Sequence, residues 1–119
     1  MREPNLYTRE DLSTDQTLDC DVLVVGSGAG GAATAAELAE GGFDVIVLEE
    51  GGYHPTEEFT TDTAEMVRKL YRDGGASMAI GNPVVTFAEG RCVGGSTVIN
   101  GGMSWRTPDK ILDRWSRED

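Results

Sequence analysis

The stretch that most constrains this chain is residues 21–31, which read DVLVVGSGAGG. It opens with a continuous apolar run of mostly β-branched residues, which favours a central strand of a parallel sheet covered on both faces. Three glycines follow at the spacing G-x-G-x-x-G, namely Gly26, Gly28 and Gly31. Residues 32–40 are mostly strong helix formers, and Gly41 and Gly42 then provide a place for the helix to end. The pattern predicts a strand, a glycine loop and a helix.

The glycine loop, residues 26–31, is called the first loop below, and its spacing suits a dinucleotide. Gly26 permits a tight turn, Gly28 lets the backbone approach a pyrophosphate closely, and Gly31 lets the helix lie against the strand. The N-terminus of the helix then offers free N–H groups and partial positive charge to the phosphates. We therefore predict a dinucleotide site here, in preference to a purely structural turn.

A second apolar strand is predicted at residues 44–48, and two acids, Glu49 and Glu50, follow it. Glu49 lies 18 positions after Gly31, near the offset of about 20 residues at which a carboxylate accepts hydrogen bonds from a ribose diol. We prefer Glu49 to Glu50 because it directly follows the strand; a solvated pair of acids is the alternative. Because a carboxylate repels a ribose 2′-phosphate, the pattern disfavours NADP.

Charge and cysteine content exclude several classes of partner. Among 119 residues, 10 Lys and Arg stand against 21 Asp and Glu, and the resulting net charge of -11 opposes binding to nucleic acid and to anionic membranes. Residues 1–20 are polar and lack the apolar core of a signal peptide, and no run is long enough for a transmembrane segment. We therefore expect a cytoplasmic location. Cys20 and Cys92 form no C-x-x-C pair, so we expect reduced thiols and no metal site. These features do not predict an oligomeric state.

The middle of the chain predicts an inserted helix and a short hairpin. Asp62 and Glu65 have the spacing of a helix start with reciprocal capping, and residues 73–75, Asp-Gly-Gly, would end that helix. Residues 76–80 and 84–88 read as two short strands around a Gly-Asn-Pro turn. The chain is therefore predicted to be α/β, with a parallel βαβ unit, an inserted helix and a short β-hairpin.

Some single residues also carry expectations. His54 is the one histidine of the chain, and we expect a solvated loop residue there and not a base. Thr107 and Pro108 predict the start of a last helix, with Thr as the cap and Pro at the first position. Trp105 and Trp115 are expected in the core.

Residues 89–108, EGRCVGGSTVINGGMSWRTP, form a second glycine-rich segment, called the second loop below. Five glycines are interleaved with Ser96, Thr97 and Asn100, so the segment offers many backbone N–H and short side-chain donors, and Arg91 adds a positive charge. The alternative is a mobile linker. We favour contact with a cofactor, because the chain already contains a predicted dinucleotide site.

Taken together, the two loops resemble one family of flavoproteins. The sequence VVGSGAGG with Glu49, followed by the second loop, is similar to the beginning of the glucose-methanol-choline (GMC) oxidoreductases. Within that family, LYRDGGASMAIG and the S-W-R-T-P run are most similar to the long-chain alcohol oxidases and related bacterial members. The resemblance covers about residues 20–116. It implies an incomplete, Rossmann-like FAD-binding domain at 21–119, without the substrate domain and the C-terminal catalytic part. Residues 1–20 are polar and aperiodic, and we expect them to form an arm without chemistry.

The resemblance also implies roles for individual residues. It adds to the three glycines of the first loop the amides of Ala29 and Gly30 at the FAD pyrophosphate, and it places Glu49 on the adenosine ribose. The residues implied along the pyrophosphate are Arg91, Gly95 and Ser96. The residues implied beside the isoalloxazine ring are Asn100, Gly101 and Met103. Ile99 stands where some members carry a histidine that binds FAD covalently, so FAD is expected to be held without a covalent bond.

The activity implied by the resemblance is oxidation of a small-molecule alcohol, in which a base removes the hydroxyl proton while hydride passes to flavin N5. In the family the base is a histidine near the C-terminus, to which His54 does not correspond, so this stretch alone is expected to be inactive. Two alternatives stay open. One is the nucleotide-binding domain of a NAD-dependent dehydrogenase, and the other is a flavin-containing lyase or binding module without redox turnover.

Overall fold

A βαβ unit forms the first half of the computed structural model, which describes residues 6–118. Strand β1 (Val22–Val25), helix α1 (Ala29–Glu40) and strand β2 (Val45–Leu48) follow one another, and the two strands pair in parallel. The register runs from Val22 opposite Val45 to Val25 opposite Leu48. The predicted α/β class and its parallel unit are confirmed. Residues 1–5 of the predicted polar arm and residue 119 lie outside the described residues.

Helix α1 begins at Ala29, three residues earlier than the run of helix formers indicated. Gly28 is its N-cap in an extended conformation, and no side chain caps the N-terminal N–H groups. The helix ends as predicted at the paired glycines, because Gly41 continues the right-handed turn and Gly42 adopts φ +91, which favours glycine. The end of the helix that faces the first loop is therefore left without a capping side chain.

Helix α2 (Thr63–Leu70) is the inserted helix, and its cap is only half of the predicted pair. Asp62 Oδ1 accepts the N–H of Glu65 at 3.0 Å, as expected. The reciprocal bond is absent, because the Asp62 N–H donates to Thr60 at 3.2 Å while the Glu65 carboxylate pairs with Lys69 at 2.9 Å. The helix also ends at Leu70, before the predicted stop, and Arg72–Gly75 forms a separate 3-10 turn.

The hairpin strands are shorter than predicted, and the last helix begins later than predicted. Strands β3 (Met78–Ala79) and β4 (Val85–Thr86) pair antiparallel, which confirms the hairpin with two residues in each strand. Helix α3 (Asp109–Glu118) begins one residue after the predicted start. The N–H of Ile111 donates to the carbonyl of Pro108 at 2.8 Å, so Pro108 supplies the first acceptor of the helix instead of occupying its first position.

The described residues form an extended shape with little interior. The radius of gyration is 18.4 Å, whereas a compact domain of this length has about 13.5 Å. Helix α1 covers only one face of β1, since Val25 on the other face is 80% exposed, so the expectation of a strand covered on both faces is wrong for this chain. Trp105 and Trp115 are 86% and 51% exposed, which also contradicts the expected core positions. None of the described helices is long and apolar enough to cross a membrane.

Candidate functional site

The first loop is held against the sheet and the helix by two of its glycines. Gly26 adopts φ +94, and its N–H donates to the carbonyl of Leu48 at 2.7 Å. A Cβ on Gly31 would lie 2.0 Å from the carbonyl oxygen of Gly26, so α1 packs directly on the turn. In contrast, no atom lies within 4 Å of a Cβ placed on Gly28 or on Gly30. The left-handed backbone therefore favours glycine at position 26 and packing requires it at position 31, while the space beside Gly28 and Gly30 is open.

Glu49 joins the end of β2 to the first loop. Its Oε2 accepts the N–H of Ser27 at 2.9 Å and the Ser27 hydroxyl at 2.7 Å, and its Oε1 accepts the N–H of Gly51 at 2.8 Å. Burial alone would raise the pKa of Glu49, but these hydrogen bonds outweigh it and hold the pKa below its ordinary value. The carboxylate is thus charged near neutral pH and fixed beside the loop. Glu50 turns to Arg72 and stays exposed.

The second loop crosses the end of β2 in close contact. The N–H of Val93 donates to the carbonyl of Gly52 at 3.0 Å, and the N–H of Gly94 donates to the Ser27 hydroxyl oxygen at 2.9 Å. A Cβ on Gly51 would lie 2.2 Å from the backbone nitrogen of Cys92, a residue that is 1% exposed. The backbone of the second loop therefore passes over the turn that follows β2 and reaches the first loop.

The C-terminal end of α2 guides the second loop into this crossing. The N–H of Arg91 donates to the carbonyl of Leu70 at 2.7 Å, and the N–H of Arg72 donates to the carbonyl of Glu89 at 2.9 Å. The Arg72 guanidinium also pairs with the carboxylates of Glu50 and Glu89. Hydrogen bonding to Arg72 is the main cause that lowers the pKa of Glu50. The inserted helix thus serves as a support for the second loop.

A cavity of about 190 Å³ lies where the two loops meet. Its lining residues come from both loops and from the first turns of α1, and they are Ser27, Gly28, Ala29, Ala32, Gly94, Thr97 and Val98. Gly95 begins a 3-10 turn, Gly95–Thr97, and a Cβ on Gly95 would lie 3.1 Å from the Cα of Gly28. The second loop therefore lies directly over the open glycine of the first.

The structure brings some of the expected cofactor residues together and leaves others apart. The residues gathered around the meeting point of the loops are Gly26, Gly28, Ala29, Gly31, Glu49 and Gly95. Gly30 is exposed in the first turn of α1. Outside the cavity lie Arg91, Ser96, Asn100, Gly101 and Met103. The cofactor roles that the resemblance implies stay predictions for all of these residues.

Local contacts account for the positions of the residues outside the cavity. Arg91 pairs with Glu50 at 3.5 Å, and the Ser96 hydroxyl accepts the N–H of Gly90 at 3.0 Å. The Asn100 side chain bonds within its own turn, where it accepts the N–H of Gly102 at 2.7 Å. Met103 is 80% exposed.

Sequence reasoning missed Ser27, which is hydrogen-bonded both to Glu49 and to the second loop. Ser27 is 9% exposed and bonds to Glu49 and Gly94. It occupies the variable position of G-x-G, and its partner Gly94 lies 67 positions away, so no local pattern indicates the contact. The glycine-rich composition of the second loop was the available signal for Gly94, and for Thr97 and Val98 beside it.

The expectation of a solvated His54 is wrong. The His54 side chain is 21% exposed and its Nδ1 lies 3.3 Å from a carboxylate oxygen of Glu58. Its ring covers the backbone of Gly52, where an added Cβ would lie 2.8 Å from Nε2. The histidine is a packed residue of the turn after β2, and it does not line the cavity.

Comparison with known proteins agrees with this arrangement. Residues 21–65 match the family model described as FAD binding domain, and residues 67–119 match the model described as GMC oxidoreductase. The division falls inside α2, after the βαβ unit and before the hairpin and the second loop. The first match shows that the cofactor is FAD.

Similar proteins occur in bacteria and plants. The chain is 42% identical to an uncharacterized GMC-type oxidoreductase of Sinorhizobium fredii, over 89% of this chain and 21% of the relative. It is 48% identical to one of Mycobacterium tuberculosis, over 82% of this chain and 16% of the relative. It is 38% identical to a long-chain-alcohol oxidase of Arabidopsis thaliana, over 91% of this chain and 14% of the relative. The chain thus spans about a fifth or less of the length of these relatives, and it belongs to the GMC oxidoreductase family, within the N-terminal FAD-binding part.

Proposed function

We propose that this chain forms the FAD-binding part of an enzyme that oxidises the CH–OH group of an alcohol. The observation that carries the proposal is the docking of the second loop on the first, through the Gly94 N–H and the Ser27 hydroxyl at 2.9 Å. A Rossmann-type loop by itself serves many dinucleotide enzymes. The second loop lies within residues 67–119, which match the GMC oxidoreductase model, and this supports the choice among such enzymes.

The open side of the first loop fits the diphosphate of FAD. The space beside Gly28 and Gly30 contains no protein atom within 4 Å of the Cβ positions. The first turn of α1 has neither a capping side chain nor an acidic residue, so its N–H groups and partial positive charge are available to an anion. We assign the amides of Ala29 and Gly30 to the diphosphate on this basis.

Glu49 fits the adenosine ribose. An ionised carboxylate has about four acceptor sites. The Ser27 N–H, the Ser27 hydroxyl and the Gly51 N–H donate to Glu49, and the Glu50 N–H also contributes to lowering its pKa. We propose that the ribose hydroxyls take the place of some of these protein donors. The lowered pKa keeps the acceptor charged.

The remaining residues of the second loop are proposed to border the flavin ring. Asn100, Gly101 and Met103 are exposed and are not committed to packing on the described part of the chain. Bound FAD supplies the acceptor for the hydride that leaves the alcohol carbon. The residues of this chain hold the cofactor and shape its surroundings, and none of them is assigned as the catalytic base. Since Ile99 carries no nucleophile, we propose that the FAD is held without a covalent bond.

The organisation of the chain is proposed on the same basis. Residues 21–119 form part of an FAD-binding domain, preceded by an arm at 1–20, of which residues 6–20 contain only turns and exposed or half-buried side chains. The plant relative is named a long-chain-alcohol oxidase, so we propose long-chain primary alcohols as the first substrates to test. The cytoplasmic location expected from the sequence stays a prediction.

The test is the visible spectrum of the purified full-length protein, before and after anaerobic addition of alcohols of increasing chain length. We expect a yellow protein that releases FAD on denaturation and loses its flavin absorbance with at least one alcohol. A colourless protein that retains NAD would contradict the flavin assignment. Retained FAD that no alcohol reduces would favour a flavin-containing lyase or binding module.

A further inference from the structure

We propose that Ser27 is a positioning residue: its hydroxyl joins the Glu49 carboxylate to the second loop and thereby sets the gap in which the cofactor is held. The inference rests on the proposed function for its consequence, but its geometry is independent of FAD. Ser27 is one of two buried polar residues of the described chain, the other being Ser77. Its hydroxyl bonds residues that lie 22 and 67 positions away.

The direction of each hydrogen bond at Ser27 follows from the charge of Glu49. An ionised carboxylate can only accept, so the Ser27 hydroxyl donates its single proton to Glu49 at 2.7 Å. The lone pairs of the hydroxyl oxygen are then free to accept the N–H of Gly94 at 2.9 Å. The backbone N–H of Ser27 also donates to the same carboxylate oxygen at 2.9 Å, which fixes the residue at a second point. The Gly94 N–H, the Ser27 hydroxyl and the Glu49 carboxylate thus form one chain of hydrogen bonds, in which each bond strengthens the next.

The anchored N–H lies at the point where the second loop turns toward the first. Gly94 and Gly95 adopt φ +93 and φ +58, two successive left-handed residues, and they direct the chain across Gly28. Val93 fixes the chain just before this turn through its bond to Gly52. Without the Ser27 hydroxyl, the half-buried N–H of Gly94 has lost the acceptor that the structure gives it, and the turn loses its contact with the first loop.

Ser77 offers a matched control within the same chain. It is 8% exposed, against 9% for Ser27, and its hydroxyl has no hydrogen-bond partner among the described residues. Ser27→Ala and Ser77→Ala therefore remove the same atom at similar burial, but only the first removes hydrogen bonds to other segments. Ser27→Thr keeps the hydroxyl and is the conservative variant.

The first measurement is amide hydrogen exchange of the FAD-free full-length protein. We expect the Gly94 amide to exchange about five- to tenfold faster in Ser27→Ala, the loss expected for one net hydrogen bond, and to be restored in Ser27→Thr and unchanged in Ser77→Ala. Equal Gly94 rates in wild type and Ser27→Ala, or no restoration by Ser27→Thr, would overturn the proposal. If Ser27→Ala does not fold, the exchange rates of the wild-type protein still test the proposal. A Gly94 amide that exchanges as fast as the exposed Gly101 amide would overturn it.

The second measurement is FAD affinity, read from flavin fluorescence. We expect the dissociation constant to rise about five- to tenfold in Ser27→Ala and to stay within twofold of wild type in Ser77→Ala and Ser27→Thr. Equal losses in both alanine variants would overturn the positioning role. Failure of wild type to bind FAD would instead refute the proposed function, and the Gly94 exchange rates would still test the link made by Ser27.

Discussion

An alanine at Gly31 is expected to destabilise the fold, whereas an alanine at the neighbouring Gly30 is not. Both residues lie in the first turn of α1, so each substitution gains at most about 1 kcal/mol of helix propensity. At Gly31 the new Cβ would lie 2.0 Å from the Gly26 carbonyl oxygen and 3.4 Å from a methyl of Val24. At Gly30 it would meet nothing within 4 Å.

The size of the effect follows from that contact. Ordinary van der Waals contact of a Cβ begins at 3.4 Å, so α1 has to move away from the turn by more than an ångström. Forced insertion of a methyl group into a packed site costs about 1–3 kcal/mol, and occasionally more. The gain in helix propensity is common to both variants. The difference between their free energies of unfolding therefore measures the clash at Gly31 alone. We expect Gly31→Ala to be less stable than Gly30→Ala by about 1–3 kcal/mol or more.

Equilibrium urea denaturation of the FAD-free full-length protein measures this difference, because the cofactor would otherwise add its own binding energy. The midpoint of Gly30→Ala should equal or exceed that of wild type, and the midpoint of Gly31→Ala should fall below both. If Gly31→Ala proves as stable as Gly30→Ala, the close packing of α1 on the first loop is refuted.

Three further predictions concern binding and access. Gly28→Val should fold, because its side chain enters open space, and yet lose FAD, because it fills the place of the diphosphate; normal FAD content would argue against our account of the first loop. Glu49→Ala should weaken FAD binding by about 1.5–3 kcal/mol, whereas the exposed Glu50→Ala should change it little, and titration with FAD would show a reversed order if the ribose assignment is wrong. Alkylation should modify Cys20 well before Cys92, which is 1% exposed and whose pKa is raised by burial and by Glu49. Equal alkylation rates would contradict the packing of the second loop on the turn after β2.

The βαβ unit could be predicted because its signals are local. The apolar runs, the spacing of the three glycines and the paired glycines after α1 each act within a few residues, and the strands and helix form where they indicate. The hairpin around residues 81–83 was predictable for the same reason. The end of α2 was not, because Tyr71 leaves the helix to pair with Gly90, a partner distant in sequence.

The contacts that build the site depend on long-range packing, which a sequence pattern does not contain. Ser27 and Gly94 lie together because the second loop crosses the turn that follows β2. The burial of single residues was predicted least well. Trp105 was expected in the core, but none of the described residues covers it. His54 was expected to be solvated, but its ring packs on Gly52. The family resemblance supplied the cofactor, which neither loop identifies by itself.

The central claim is that both glycine loops close around one FAD, and hydrogen exchange of the full-length protein with and without the cofactor tests it most directly. We predict that FAD slows exchange in two separate segments, residues 26–31 of the first loop and residues 94–103 of the second. Protection of the first segment alone, with exchange in residues 94–103 unchanged, would contradict the claim.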